Sequence, residues 1–168
     1  YSKFRENISF SNLNILEKDI EKKFDLIVSK DTFEHTQNLD TVIQKMYDLL
    51  KIGGKAYLGF GPLYNFYNGD HGRTRMFLPW LHLMVPEKFI LGKLNKDNGS
   101  KINRIQDLGL SKYSLNEYEN FFNNSNFNIK YFKTNQSDHP FASVFNVMSK
   151  IKILREYCTY NIYCILEK

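Results

Sequence analysis

Between Phe24 and Gly61 the chain spells one strand, one amphipathic helix and a second strand, an order that few folds accommodate. Lys23-Phe24-Asp25-Leu26-Ile27-Val28-Ser29 ends in a continuous apolar run bounded by polar residues, which predicts a buried parallel strand. The apolar positions Leu39, Val42, Ile43, Met46, Leu49 and Leu50 then recur at the three- and four-residue spacing of a helix. Gly53-Gly54 is expected to stop that helix through a left-handed cap, and Lys55 to Gly61 (KAYLGFG) reads as the next strand. Parallel strands need a crossover of about this length, and such crossovers are right-handed. The expectation is an α/β fold, and 168 residues with 42% hydrophobic content suit a single domain with one sizeable core.

The flanks carry further punctuation. Upstream, Asn7 to Phe10 (NISF) is short and partly alternating, as a strand would be. Residues 61 to 75 (GPLYNFYNGDHGRTR) are loop-like, and Pro79 and Pro86 each suit the first turn of a short helix. Glu87 early and Lys93 late complement the dipole of the second. Asn95 to Asn103 reads as a connector, and Ser114-Leu115-Asn116-Glu117 is a capping box opening a helix that Asn126 can end. A strand at Asn128 to Lys133, a helix from Asp138-His139-Pro140 through about Leu154 and a last strand at Cys158 to Leu166 complete the order.

Several classes of function are disfavoured by composition. The greasiest run, Phe77 to Val85, is far shorter than the roughly 18 to 20 residues of a membrane span. Cys158 and Cys164, placed on one strand, would lie about 20 Å apart, too far for a disulfide. Two lone thiols fit a reducing cytoplasm, and no Cys/His spacing suits zinc. The net charge of +5 invites a nucleic-acid reading, but Lys outnumbers Arg 18 to 5 and Asn also reaches 18. An AT-rich coding sequence would produce that bias without selection for a partner; the lysines are dispersed and no DNA- or RNA-binding motif occurs, so no nucleic-acid partner is expected. The start, Tyr1-Ser2-Lys3-Phe4-Arg5, has neither an initiator Met nor a leader pattern, so the chain is expected to begin within a longer protein.

FDLIVSKDTFEH, a helix, LLKIGGKAYLGF and then GPLYNFYNGDHG together resemble the later half of class I S-adenosylmethionine-dependent methyltransferases. The resemblance covers residues 8 to 62 by motif and the remainder by pattern. It implies a partial Rossmann-like sheet, its fourth to seventh strands, with Phe24 to Ser29 as the fourth. It also implies methyl transfer from S-adenosylmethionine to a small-molecule acceptor in the intact protein. The family's glycine-rich loop and ribose-binding carboxylate would lie upstream of Tyr1, so this chain alone is expected to hold the cofactor poorly. The rival reading is a non-catalytic remnant or assembly module.

The resemblance also nominates residues. Ser29, Lys30, Asp31, Glu34 and His35 follow the fourth strand, where the cofactor binds in the family. Asp31 and Glu34 would favour its cationic end, with backbone contacts from Ser29 or Lys30. Asn14 takes the place of an Asp near the adenine amine, followed by Ile15 as an adenine wall. On their own, Asp31 and Glu34 equally suit helix capping or a solvated face. Asp70-His71, among Tyr64, Phe66 and Tyr67 after the fifth strand, offers a proton acceptor to the incoming substrate. The alternative for His71 is a structural loop histidine, and adjacent side chains seldom face each other.

Residues 76 to 113 read as a helical lid inserted over the acceptor pocket, with Trp80, Leu81, Leu83 and Met84 as lining candidates or plain core. In the resembling fold the first strand pairs with the fourth. Without it, Phe24 to Ser29 presents an open apolar edge, which predicts a homodimer through that edge or cover by the segment from Tyr1 to Ile15.

Overall fold

The computed structural model describes residues 8–98, 101–136 and 138–168. Among the described residues, four strands form one sheet: β1 (Phe24–Lys30), β2 (Leu50–Phe60), β3 (Asn128–Thr134) and β4 (Ile162–Glu167), in the order β1-β2-β4-β3. β1 and β2 are parallel and joined by α1 (Leu39–Leu49), the expected crossover, while β4 lies antiparallel to both β2 and β3. The remaining helices are α2 (Leu81–Met84), α3 (Glu87–Asn98), α4 (Leu115–Asn123), α5 (Ala142–Met148) and α6 (Lys152–Cys158). Short 3-10 turns occupy Phe33–His35 and Ile105–Leu108. This is a mixed α/β, Rossmann-like sheet with its parallel pair at one side.

Strand alternation divides the sheet into two unlike faces. Ala56, Leu58 and Phe60 of β2 and Ile162, Cys164 and Leu166 of β4 are buried under α1 and α4, whose Ile43, Met46, Tyr118 and Phe122 complete the main core. The other face has no helix over it among the described residues. Leu26 is 51% exposed and Val28 67%, which corrects the expectation that the apolar run of β1 is buried on both sides. Alternation still rules this strand; the residues on its second face are apolar but uncovered.

Other expectations are corrected locally. Residues 8–10 belong to no strand and leave Ile8 and Phe10 largely exposed; a strand needs a neighbour, and none pairs with them among the described residues. Asn7 and the start from Tyr1 lie outside the described residues. Gly53-Gly54 does not cap α1. The helix ends at Leu49 and β2 starts at once, with the glycines inside it. The register passes from the Phe24–Leu50 pair to Leu26–Lys55, so a bulge sits here, and Gly53 supplies its left-handed residue at φ +75°. A side chain on Gly54 would come within 3.2 Å of the Asp25 carbonyl.

Helix α3 runs into the expected connector as far as Asn98. The helix predicted from Asp138 to Leu154 is two, broken where Ile151 adopts extended backbone. Cys158 ends α6 instead of lying in the last strand, so the strand-based spacing of the two cysteines does not apply; both thiols are free and buried. The capping box at Ser114 forms as predicted: its Oγ accepts from the Glu117 amide at 3.2 Å, and Glu117 Oε2 accepts from the Ser114 amide at 2.7 Å. No helix among the described residues is long and apolar enough to cross a membrane.

The segment between β2 and α4 builds its own small core from Tyr64, Ile90, Leu94, Ile105 and Leu110. A third cluster gathers Phe66, Phe145, Cys158 and Tyr160, with Trp80 packed against it.

Candidate functional site

At the carboxyl ends of β1 and β2 the chain turns sharply, and the turns create a cleft. Asp31 follows β1 in a left-handed conformation, φ 51°, held by its amide donating to the Gly59 carbonyl at 2.8 Å. Gly61 follows β2 at φ +152°, where an added side chain would stand 2.3 Å from the Tyr160 carbonyl, so only glycine fits. The cleft measures about 300 Å³ and is lined by Lys30, Asp31, Gly61, Pro62, Asn68 and His139, with Tyr160, Asn161 and Tyr163 from the approach to β4. It sits where open α/β sheets bind ligands, beyond the carboxyl ends of parallel strands.

Behind the cleft wall lies a second group of polar side chains. Glu34 is only 4% exposed; its Oε1 accepts from the Gly61 amide at 3.3 Å, and its Oε2 has no partner among the described residues. Burial, reinforced weakly by Asp31, raises its pKa to about 7, against the opposing pull of its own amide, Gly61 and Arg73. The capping role open to Glu34 at the sequence level is therefore not the one it takes; it braces the β2 turn from inside. His35 donates from Nδ1 to the Gly109 carbonyl at 2.8 Å, an acceptor shared with Arg73.

His71 stacks beside His35, ring centroids 4.8 Å apart, and donates from Nε2 to the Pro62 carbonyl at 3.2 Å. Because carbonyls only accept, each neutral ring carries its proton on the bonded nitrogen, leaving a lone pair on His35 Nε2 and His71 Nδ1. Burial, and then the neighbouring His35, hold the His71 pKa below its ordinary value. Asp70 does not orient His71. Its buried carboxylate accepts from the amides of Gly72 and Thr74, at 3.2 and 3.3 Å, and from the Thr74 hydroxyl, which shapes the loop that presents His71 at φ 52°.

The structure thus brings Lys30 and Asp31 to the cleft and gathers Glu34, His35, Asp70 and His71 behind it, outside its lining. Ser29 lines a different groove on the bare sheet face, with Val28 and Tyr57. Asn14 spends its side chain on a turn, accepting from the Leu16 amide and donating to Glu17, and Ile15 packs against the main core; neither lines the cleft. Trp80, Leu81, Leu83 and Met84 do not line it either, and Met84 is 75% exposed. Asn68, His139 and Asn161 were not legible as site residues, because their positions depend on loops converging from three separate parts of the chain.

Comparison with known proteins adds a family. The methyltransferase domain family matches residues 2–58, which contain β1, α1 and most of β2. No curated protein sequence matches the chain. Among solved structures, the N-methyltransferase NodS from Bradyrhizobium japonicum is 12% identical, covering 99% of this chain and 64% of its own, with a TM-score of 0.42. PKMT2 from Rickettsia typhi is 14% identical over 92% of this chain and 38% of its own, TM-score 0.48. The phosphoethanolamine N-methyltransferase 2 of Haemonchus contortus, in complex with S-adenosyl-L-methionine, is 14% identical over 92% of this chain and 36% of its own, TM-score 0.46. The chain therefore spans less than two thirds of the length of each of these structures. Residues 2–58 of this chain match the methyltransferase domain family, and the described residues among them, from 8 onward, include the parallel pair of the α/β sheet.

Proposed function

We propose that the chain is the acceptor-side portion of an S-adenosylmethionine-dependent methyltransferase acting on a small molecule. The observation that carries this reading is the family match over residues 2–58, which ends at the strand whose carboxyl end opens the cleft. The residues present fit one side of the cofactor: Asp31 sets a carboxylate at the cleft rim, suited to a sulfonium cation, and the Lys30–Asp31 backbone turns there. When bound, S-adenosylmethionine supplies an electrophilic methyl group. His71 lies behind the cleft lining, neutral and with its Nδ1 lone pair free; an acceptor that extends past Pro62 brings its hydroxyl or amine to that lone pair, which takes the proton, and Asp70 positions the loop that holds the ring. Residues 76–113 add no side chain to the cleft lining, so their part as a lid would be to close over it from outside. Two free, buried thiols fit a reducing cytoplasm.

The glycine-rich loop of the family has no counterpart in the 168 residues. Isothermal calorimetry should therefore show weak or undetectable S-adenosylmethionine binding by this chain and clear binding by a longer protein that includes such a loop. Tight binding by the chain alone would mean that the cofactor site is misplaced in this reading.

Self-association belongs to the same proposal. Among the described residues β1 pairs on one side only, and that open edge adjoins the exposed Leu26 and Val28. Light scattering over a concentration series should show a dimer whose β1 amides are protected from hydrogen exchange. A monomer whose amides there exchange rapidly is the contrary result.

A further inference from the structure

One histidine of the cleft lining has its hydrogen-bonding role set by a backbone amide of its own loop. His139 lies on the cleft wall among five aromatic rings, the three nearest being Phe66 at 5.7 Å, Phe145 at 5.2 Å and Tyr160 at 5.1 Å between centroids. Its Nδ1 accepts from the Phe141 amide at 3.1 Å. An imidazole nitrogen that accepts carries no proton, so the neutral ring holds its hydrogen on Nε2. That N–H has no acceptor among the described residues, and it is not among the buried unpartnered atoms. The ring is therefore a donor fixed in tautomer by a backbone amide and in orientation by aromatic packing, which spares the ordering cost of making a hydrogen bond. It is not arranged as a proton acceptor, in contrast to His71.

We propose that His139 recognises the substrate, donating from Nε2 to an sp² oxygen, a carbonyl or carboxylate, carried on a planar apolar body. The N–H donor calls for an acceptor, and a carbonyl or carboxylate oxygen is among the strongest. The planar body follows from the aromatic character of the walls: Phe60, Phe66, Tyr160 and Tyr163 face this cleft, and ring faces and edges pack best against flat partners. Lys30, also in the lining, adds a cation for the carboxylate form, tempered by the neighbouring Asp31 carboxylate 3.5 Å from its ammonium. This assignment rests on the cleft being the acceptor site of the reading above.

Nitrogen-detected NMR of the imidazole rings in the full chain tests it without cofactor or turnover. Sodium benzoate and benzamide serve as the two sp² oxygen probes, and benzylamine, a flat body without that oxygen, as the comparator. Benzoate and benzamide should shift the His139 Nε2 resonance saturably, and benzylamine should bind about tenfold more weakly or not at all. His139→Phe, which retains the ring packing, should lose about the same tenfold. Stronger binding of benzoate than of benzamide would mark the carboxylate as the form preferred beside Lys30. Equal binding of all three probes, no shift at His139, or unchanged affinity in His139→Phe would overturn the assignment. Because these probes need no methyl donor, failure here is separate from failure of the S-adenosylmethionine titration.

Discussion

Replacing Glu34 by Gln should flatten the pH dependence of stability between pH 4.5 and about 7. In the folded chain the Glu34 pKa rises from 4.5 to about 7, chiefly by burial, so the native state holds a proton that the unfolded state has already released. Its contribution is complete below the unfolded value and disappears as pH rises through the folded one. The size is about 3 kcal/mol at about 1.4 kcal/mol per unit. Asp25, Glu87, Asp107 and Glu167 have lowered values, and their effect appears as pH falls through the acid range. His71, also lowered, acts in the opposite direction to Glu34 below its ordinary titration range, but in both proteins alike. The difference between wild type and variant therefore isolates Glu34. Urea unfolding at fixed pH values from 4.5 to 8 measures it. Gln retains an oxygen for the Gly61 amide, and parallel curves would show that Glu34 does not titrate with folding.

His71→Ala should lower kcat on the order of a hundredfold in a longer protein that binds the cofactor, with the cofactor dissociation constant changed by no more than about twofold. The ring hydrogen-bonds to the Pro62 carbonyl through Nε2, leaving Nδ1 to take the acceptor's proton. Its lowered pKa keeps the lone pair available at neutral pH, so the acid limb of the rate profile should fall below the ordinary imidazole range. His35→Ala, which removes the neighbouring ring 4.8 Å away, should move that limb upward while leaving most of the rate. Steady-state kinetics across pH, with an acceptor identified by substrate screening, provides the check. An unchanged rate in His71→Ala would leave the histidine as a brace for the β2 loop and nothing more.

The Glu34 and His71 effects were unequally visible in the sequence. Both residues could be named from motif position, but their chemistry depends on what surrounds them. Glu34 becomes a strong perturbation because the 3-10 turn at Phe33–His35 drives it beneath the Gly61 turn, more than twenty residues away along the chain. Asp70 was paired with His71 on adjacency, and the loop instead closes Asp70 onto Gly72 and Thr74. The cleft itself gathers side chains from Lys30 to Tyr163, and no local pattern marks His139 as a member.

By itself the sequence determined the parallel pair and its crossover, because an apolar run, a helical period and a second strand at this spacing leave almost no other connection. It determined the start of α4 as well, since a capping box is satisfied within four residues. Tertiary structure alone decided that Gly53 and Gly54 would shape a bulge instead of a cap, because the register of β1 against β2 absorbs them. It also decided that Leu26 and Val28 would stand exposed among the described residues and that His139 would stand in a cleft with its tautomer set. Periodicity reports which side of an element is apolar, whereas cover and convergence depend on where the rest of the chain packs.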